Sequence, residues 1–369
     1  MLFRPLQHNS GIKKTATIRG NMVSRAKPAL RPPKGGPAPP AQPTDVRLGR
    51  IVRLLMEHAT VIVSGTKIAE EISSSRSEVW RLIQQLRGLR VDVAGHPATG
   101  YQLRAVPNLL LPEMLRPLLR GTSFDAKLHH FYKIGSTNAA AMTAAAEGAP
   151  EGSVFLAEEQ TAGRGRGSHV WHSAQSAGIC CSVVLRPPLP PSEILVLSLA
   201  AGLAVRAAIK QVDSRVTLDL KWPNDLLIDG KKFCGILTEM NAEATRVRYI
   251  VVGIGINVNQ ANFPAELAEQ ATSLRLATGS EWSRVELAAA LLKSLDREYR
   301  DLLEKTDARA SILRRFCEHS SWARGKMVSI DENGRSFEGM TEGLDERGFL
   351  QVRSVQGLQT VLSGTVRAR

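Results

Sequence analysis

The chain has 369 residues, room for two or three domains of ~100–200 residues each. Its 43% hydrophobic and 22% charged residues exclude a wholly disordered protein. The net charge is +13, but residues 1–44 carry +8, residues 45–105 carry +3 and residues 106–369 only +2, so charge alone does not make the whole chain a nucleic-acid binder.

Residues 1–44 hold Arg4, Lys13, Lys14, Arg19, Arg25, Lys27, Arg31 and Lys34, no acid, and the Pro/Gly-rich run PPKGGPAPPAQP. Such a segment cannot bury enough apolar surface to offset chain entropy, and it reads as a disordered basic leader. The same composition suits a transit peptide, and Met22 is an alternative start.

Helical periodicity begins at Val46. Leu48, Ile51, Val52, Leu54 and Leu55 line one face of a helix over Arg47–His58. A second short helix from Thr66 turns Ile68, Ala69 and Ile72 inward. After Ser73-Ser74, Ser75 is placed to cap a third helix containing Val79, Leu82, Ile83 and Leu86. Val91 to Leu103 then reads as two strands about a Gly/Pro turn, completing a winged helix-turn-helix. Ser75, Arg76, Ser77 and Arg81 at the exposed start of the third helix are the candidate DNA contacts. A module serving only packing or dimer contacts has the same spacing.

From Leu128 to about Ala277 the pattern is α+β. Ser136-Thr137-Asn138 opens an Ala-rich helix, Ala139–Glu147. Strands follow at Val154–Ala157 and Ile179–Leu185, then a long helix over Ser192–Val212. Its longest apolar run, Ile194–Val205, covers 12 positions, where a membrane span needs ~20. Four further strands are expected at Thr217–Lys221, Leu226–Ile228, Phe233–Asn241 and Arg248–Asn257, with Asp229-Gly230 as a hairpin turn. Hairpins imply a mixed or antiparallel sheet, not a doubly wound nucleotide fold. Helices over Val285–Glu304 and Ala308–Glu318 precede a small β-domain with strands at Lys326–Ile330, Phe337–Leu344, Gly348–Val352 and Gln359–Val366, turned at Asn333-Gly334 and Arg347-Gly348. Cys180, Cys181, Cys234 and Cys317 lack metal-ligand spacing and disulfide density. They suit a reduced, cytoplasmic protein, and no secretory apolar region is present at the N-terminus.

Three segments carry chemistry. In Glu158-Glu-Gln-Thr-Ala-Gly-Arg-Gly-Arg-Gly-Ser-His-Val-Trp171, glycines let backbone approach a ligand while Arg164 and Arg166 present forks that match carboxylate or phosphate oxygens. Trp171 is available to stack on a ring. In Lys221-Trp222-Pro223-Asn224-Asp225, a lysine ends an apolar strand, where it either stabilises charge on a carboxylate attacking phosphorus or simply snorkels. In Val251-Val-Gly-Ile-Gly-Ile-Asn257, glycines inside a strand mark a close backbone approach, as does Gly235 in the preceding strand.

EEQTAGRGRG, KWPNDLL, GILTEM and VVGIGINVN in this order resemble the bacterial biotin protein ligases. With the winged helix upstream and the β-domain downstream, the chain resembles the bifunctional type that also represses biotin genes. The resemblance spans roughly residues 46–369. It implies an α+β protein with a winged helix-turn-helix (45–105), a mixed-sheet ligase domain of the biotin/lipoate ligase type (106–321) and a small SH3-like β-barrel (322–369), after the leader (1–44). The reaction it implies joins biotin to ATP as biotinyl-5′-AMP, with Mg²⁺, and then biotinylates a lysine of a biotin carboxyl carrier protein of acetyl-CoA carboxylase. Operator DNA and a homodimer formed with the adenylate are the other implied partners, and no membrane.

By motif position, Ser136, Thr137, Asn138, Gln160, Gly165, Gly235, Gly253 and Gly255 would hold biotin. Arg164, Arg166 and Lys221 would bind its carboxylate and carry catalysis, and Trp171, Asn224 and Asn257 would face the nucleotide. Phe263–Ala271 would fold over the adenylate, and no metal ligand is assigned. The loop departs from the family where Gly167-Ser168-His169 follows GRGR, and Ser73 stands where such turns often have glycine. The nearest alternatives are a lipoate ligase, a regulator that only senses a ligand, and a ligase whose winged helix is purely structural.

Overall fold

A computed structural model describes residues 44–332 and 334–369. The basic leader and Asn333 of the expected Asn333-Gly334 turn lie outside the described residues, except Thr44.

Three helices and a hairpin form the first unit in the chain: α1 (Thr44–Glu57), α2 (Gly65–Glu71), α3 (Arg76–Gly88), β1 (Val93–His96) and β2 (Gly100–Leu103). The expected apolar positions, Leu48, Ile51, Val52, Ile68, Val79, Leu82, Ile83 and Leu86, are all buried. Ser64 and Ser75 cap α2 and α3 by accepting from Lys67 N and Glu78 N. Ser73 takes the left-handed conformation, φ 49°, that the turn between those helices requires. The wing is tied back by reciprocal bonds between the main chains of Val63 and Tyr101, and a Cβ on Gly100 would sit 2.1 Å from Val63 O.

The central body begins with α4 (Pro112–Leu115), β3 (Leu128–Phe131), α5 (Thr137–Ala146), β4 (Val154–Ala157), β5 (Gly178–Leu185) and α6 (Leu195–Val212). It continues through β6 (Asp219–Lys221), β7 (Asp225–Ile228), β8 (Lys231–Ala242), β9 (Val247–Asn257), α7 (Leu274–Thr278), α8 (Arg284–Glu304) and α9 (Ala308–Glu318). Its seven strands run in the order β3-β4-β5-β9-β8-β7-β6, parallel only between β3 and β4. Asp229 and Gly230, at φ 49° and 76°, make the tight β7–β8 turn.

Strand parity gives the sheet two different faces. Ile250, Val252, Ile254 and Ile256 of β9 join the large core, whereas Tyr249 and Val251 pack with Ala141 and Ala145 of α5. With the Pro191–Glu193 turn before it, α6 is long and apolar enough to cross a membrane, but most of it is buried inside the fold.

The last unit is a five-stranded antiparallel sheet, β13-β12-β11-β10-β14, built from β10 (Arg324–Glu332), β11 (Arg335–Leu344), β12 (Leu350–Ser354), β13 (Gly357–Val361) and β14 (Thr365–Ala368). The single strand expected over Gln359–Val366 is in fact two. Gly364, at φ 115°, turns the chain so that β14 pairs with β10 instead of extending β13. Trp222 Nε1 donates to Gly348 O at 2.9 Å, fastening this sheet to the central body, and Ser320 Oγ donates to Leu220 O just before the chain enters it.

At the base of the central sheet Glu158 and Arg284 form a fully buried ion pair at 2.7 Å. Leu110 N and His130 Nε2 lie 2.7 and 3.2 Å from Glu158 Oε1, while Arg284 donates to Gly178 O and to Asn108 O. Burial alone would raise the Glu158 pKa. The Arg284 charge, the His130 contact and the Leu110 N–H outweigh it and hold the carboxyl at about 2. An unfolded glutamate titrates near ~4.3, so this contribution to stability is complete above about pH 5 and disappears as pH falls toward 2. Arg284→Met, which strands a buried carboxylate, is expected to cost ~3–5 kcal/mol in urea unfolding at neutral pH. The same titration below pH 5 is expected to show wild type losing stability more steeply than Glu158→Gln.

Candidate functional site

The site lies on the α5 face of the sheet, where parity brings Cys180 and Ser182 of β5 beside Gly255 and Gly253 of β9, and these beside Gly235 and Leu237 of β8. Three glycines strip the side chains from this patch and leave a floor of backbone. A Cβ on Gly253 would lie 2.0 Å from Asn138 Oδ1, and one on Gly255 2.5 Å from Trp171 Cε2. Gly235 is likewise crowded by Lys232 and Trp171, at 3.0 and 3.2 Å. Gly253 and Gly255 are thus required by close approach of these side chains, while Gly235 is only tightly packed by them.

The rim is a hydrogen-bonded chain. Gln160 Oε1 accepts from Thr137 N (2.7 Å) and Thr137 Oγ1 (3.0 Å), and Ser182 Oγ lies 2.8 Å from Thr137 Oγ1 and 2.6 Å from Asn138 Oδ1. Asn138 Nδ2 donates to Leu237 O and to Glu239 Oε2, which also takes Arg164 at 3.3 Å. Ser136 caps α5 through Ala139 N. Burial pushes the Cys180 thiol up to about 11, so it is a neutral wall residue.

The arginine loop is closed by Trp171 N donating to Gly163 O and Gly165 N to His169 O. Gly167 turns its tip at φ 63°. The departure at Gly167-Ser168-His169 therefore makes a compact turn, with His169 Nδ1 2.7 Å from Arg166 O. Arg166, half-buried, donates to Gly364 O of the C-terminal sheet. Burial lowers its pKa, against Asp225 and Glu332.

A cavity of about 40 Å³ is lined by Ser136, Thr137, Asn138, Gln160, Arg164, Gly165, Arg166, Trp171, Asn224, Gly235, Gly253 and Gly255, together with Lys232. These thirteen positions come from five separate segments of chain and all of them but Lys232 are ones that motif position nominated; Cys180, Cys181, Ile236, Leu237 and Ile254, which were not nominated, complete the lining.

Two nominated residues do not line it. Lys221 Nζ sits 4.3 Å from the centre of the Trp322 ring, because β6 ends at the seam with the C-terminal sheet. Burial lowers its pKa, opposed by Asp225 and reinforced by the Lys232 and Arg367 charges. Asn257 is buried, its amide donating to Thr272 O and accepting from Gln260.

The lysine at the cavity is Lys232, whose Nζ pairs with Asp225 at 2.6 Å. Its main chain is bonded on both sides to Gln270 and Thr272, so the 263–271 segment is anchored where the lysine leaves β8. Sequence reading missed Lys232, Asp225 and Glu239. The signal for Lys232 was its place after the Asp229-Gly230 turn, which folds it back beside Asp225.

In the winged unit Ser75 is the α3 cap, and Arg81 is held by Glu78 through two bonds of 2.8 Å. Arg76 and Ser77 line an open cleft of about 600 Å³ between α3 and the wing.

Residues 131–257 match the biotin/lipoate A/B protein ligase family, residues 47–102 a helix-turn-helix domain and residues 325–367 the biotin protein ligase C-terminal domain. The chain is 36% identical to the bifunctional ligase/repressor BirA of Bacillus subtilis over 321 residues, covering 86% of this chain and 97% of that one. It is 34% identical to the biotin–[acetyl-CoA-carboxylase] ligase of Mycobacterium tuberculosis, over 58% of this chain and 79% of that one. The biotin protein ligase of Aquifex aeolicus in complex with biotin and ATP superposes with a TM-score of 0.58 at 28% identity, covering 66% of this chain and all of that one.

Gly253→Ala tests the floor. Asn138 is fixed by bonds to Leu237, Glu239 and Ser182 and cannot swing aside, so the added methyl is expected to cost ~1–3 kcal/mol in biotin affinity, in folding stability or shared between them, read by calorimetric titration and thermal unfolding.

Proposed function

The chain belongs to the bifunctional ligase/repressor family of biotin protein ligases, and from that we propose how its own residues divide the work. It is a biotin protein ligase with a helix-turn-helix repressor domain. Biotin's carboxylate attacks the α-phosphorus of ATP, pyrophosphate leaves, and biotinyl-5′-AMP remains. The ε-amine of a carrier-domain lysine then attacks the acyl carbon, and AMP leaves.

The observation that carries our assignment is the convergence of Lys232, Arg164 and Arg166 on a glycine-floored cavity rimmed by Ser136, Thr137, Asn138 and Gln160. The polar rim and the floor take biotin's head and ring. The three cations meet its carboxylate and the α-phosphate, stabilising charge that grows as the carboxylate oxygen bonds to phosphorus. Lys232 takes the central catalytic part, held in place by its pairing with Asp225, and Lys221 a supporting one at the seam. Asn224 and Trp171 serve the nucleotide side. Asn257 holds the 272 main chain in place.

A ligand of this size needs a pocket of at least ~300 Å³. Entry therefore requires the 163–171 loop to lift its indole from Gly235 and Gly255, and the loop then closes over the adenylate and excludes water. Magnesium fits as a companion of the ATP phosphates. Among the described residues no three His, Cys, Asp or Glu side chains form a cluster for it, so phosphate oxygens and water would supply most of its ligands.

The proposed carrier is the biotin carboxyl carrier protein of acetyl-CoA carboxylase, and the proposed location cytoplasmic. Domain bounds of 45–105, 106–321 and 322–369, binding of operator DNA and an adenylate-linked homodimer complete the reading.

Protein with ATP, Mg²⁺ and biotin is expected to label a carrier-domain lysine; lipoate transfer without biotin transfer would overturn the substrate. Between the two lysines, Lys232→Ala is expected to slow adenylate formation ~10²–10³-fold with a much smaller loss of biotin binding. Lys221→Ala is expected to slow it by less than about tenfold. The reverse order would return the catalytic part to Lys221.

A further inference from the structure

Helix α3 offers the wing cleft a stripe of side chains at helical spacing, Ser77, Trp80, Gln84 and Arg87, all lining that cleft. Trp80 is 58% exposed, an unusual place for an indole with no packing role. Arg87 is spent on the fold, since Nε and Nη2 both donate to Val93 O and brace the wing. Arg81 borders this stripe but is engaged by Glu78, which also pairs with Arg47 of α1 at 3.1 Å. The wing turn, His96-Pro97-Ala98-Thr99-Gly100, has no lysine or arginine to grip a phosphate. Beyond Arg76 at its first turn, what α3 directs into the cleft is one amide, Gln84, and one large apolar ring, Trp80.

Building on the DNA-binding reading above, we propose that Gln84 and Trp80 are the base-reading residues of this domain, and that its binding site presents A·T pairs to them. A glutamine amide matches adenine N6 and N7 in the major groove, and an apolar ring packs on the thymine methyl. A guanine contact beside Gln84 would call for an arginine there, and Arg81, three residues before it, is engaged by Glu78. Arg76 at the start of α3 serves the phosphates, positioning the helix without selecting sequence.

The test selects binding sites from a randomised duplex library with the full chain, biotin, ATP and Mg²⁺ at moderate salt. Wild type is expected to enrich a site with A·T pairs in each half. Gln84→Ala should lose the preference at one adenine per half-site, with affinity for the wild-type site falling about tenfold. Gln84→Arg should move that preference to guanine, and Trp80→Ala should erase a thymine. Arg81→Ala should select the wild-type site.

Circular dichroism confirms that each variant folds. The proposal is overturned if the enriched site lacks A·T pairs, if the Gln84 and Trp80 variants select it unchanged, or if Arg81→Ala is the variant that loses a position. Enrichment of no site by wild type overturns the DNA-binding reading, and this proposal with it.

Discussion

The structure depends on a single buried charge pair. Glu158 closes β4, Arg284 opens α8, and between them they hold Asn108 and Leu110 of the segment leaving the winged unit and the carbonyl that starts β5. A pair of this kind adds little net stability over an apolar replacement, because removing both charges from water is costly. Its consequence is positional. Gln160 lies two residues beyond Glu158, and its carboxamide oxygen orients Thr137 at the start of α5. The polar rim of the ligand cavity is therefore set from beneath by a contact that touches no ligand.

The second constraint is parity. On β5, β8 and β9 one set of alternate residues is aliphatic and fills the core against α6 and α8, while the other set changes character along the strand. Near α5 it is Tyr249 and Val251, which pack. Farther along it becomes Gly253 and Gly255, which do not. Replacing two side chains by hydrogen in a single strand turns a packing face into a floor that rings can lie on, without disturbing the core behind it. The sheet thus carries stability on one face and chemistry on the other, and the conformational cost of the glycines is confined to the site.

Much of this was legible in advance. The three helices of the winged unit were marked by apolar spacing and the Ser75 cap, and the β7–β8 hairpin by Asp229-Gly230, because these signals act within a turn or two of the backbone. What could not be read depends on distant partners. Arg284 follows a capping serine and looks like any exposed residue in a first turn, yet its partner is 126 positions away. Lys221 stands in the more conspicuous motif, but β6 ends at Trp322, and it is Lys232, returned by the hairpin, that reaches the cavity. The split of the last strand into β13 and β14 follows the same logic. Gly364 makes a turn worthwhile only because β10 offers β14 an edge.

Charge shows the same limit of local reading. Of the +13, eight charges lie in residues 1–44, and the winged unit keeps a surplus of three. Four of its nine cations are engaged, for Arg47 and Arg81 share Glu78, Arg53 pairs with Glu71, and Arg87 is bonded to the wing, which leaves Arg50, Lys67, Arg76, Arg90 and Arg104 outside these contacts. Nonspecific attraction to DNA scales with cations free to displace counterions, so those five, and not the net charge, set the electrostatic part of this unit's attraction. Phosphate contacts of this kind position a helix without selecting sequence, so any sequence preference must come from fit at the base edges.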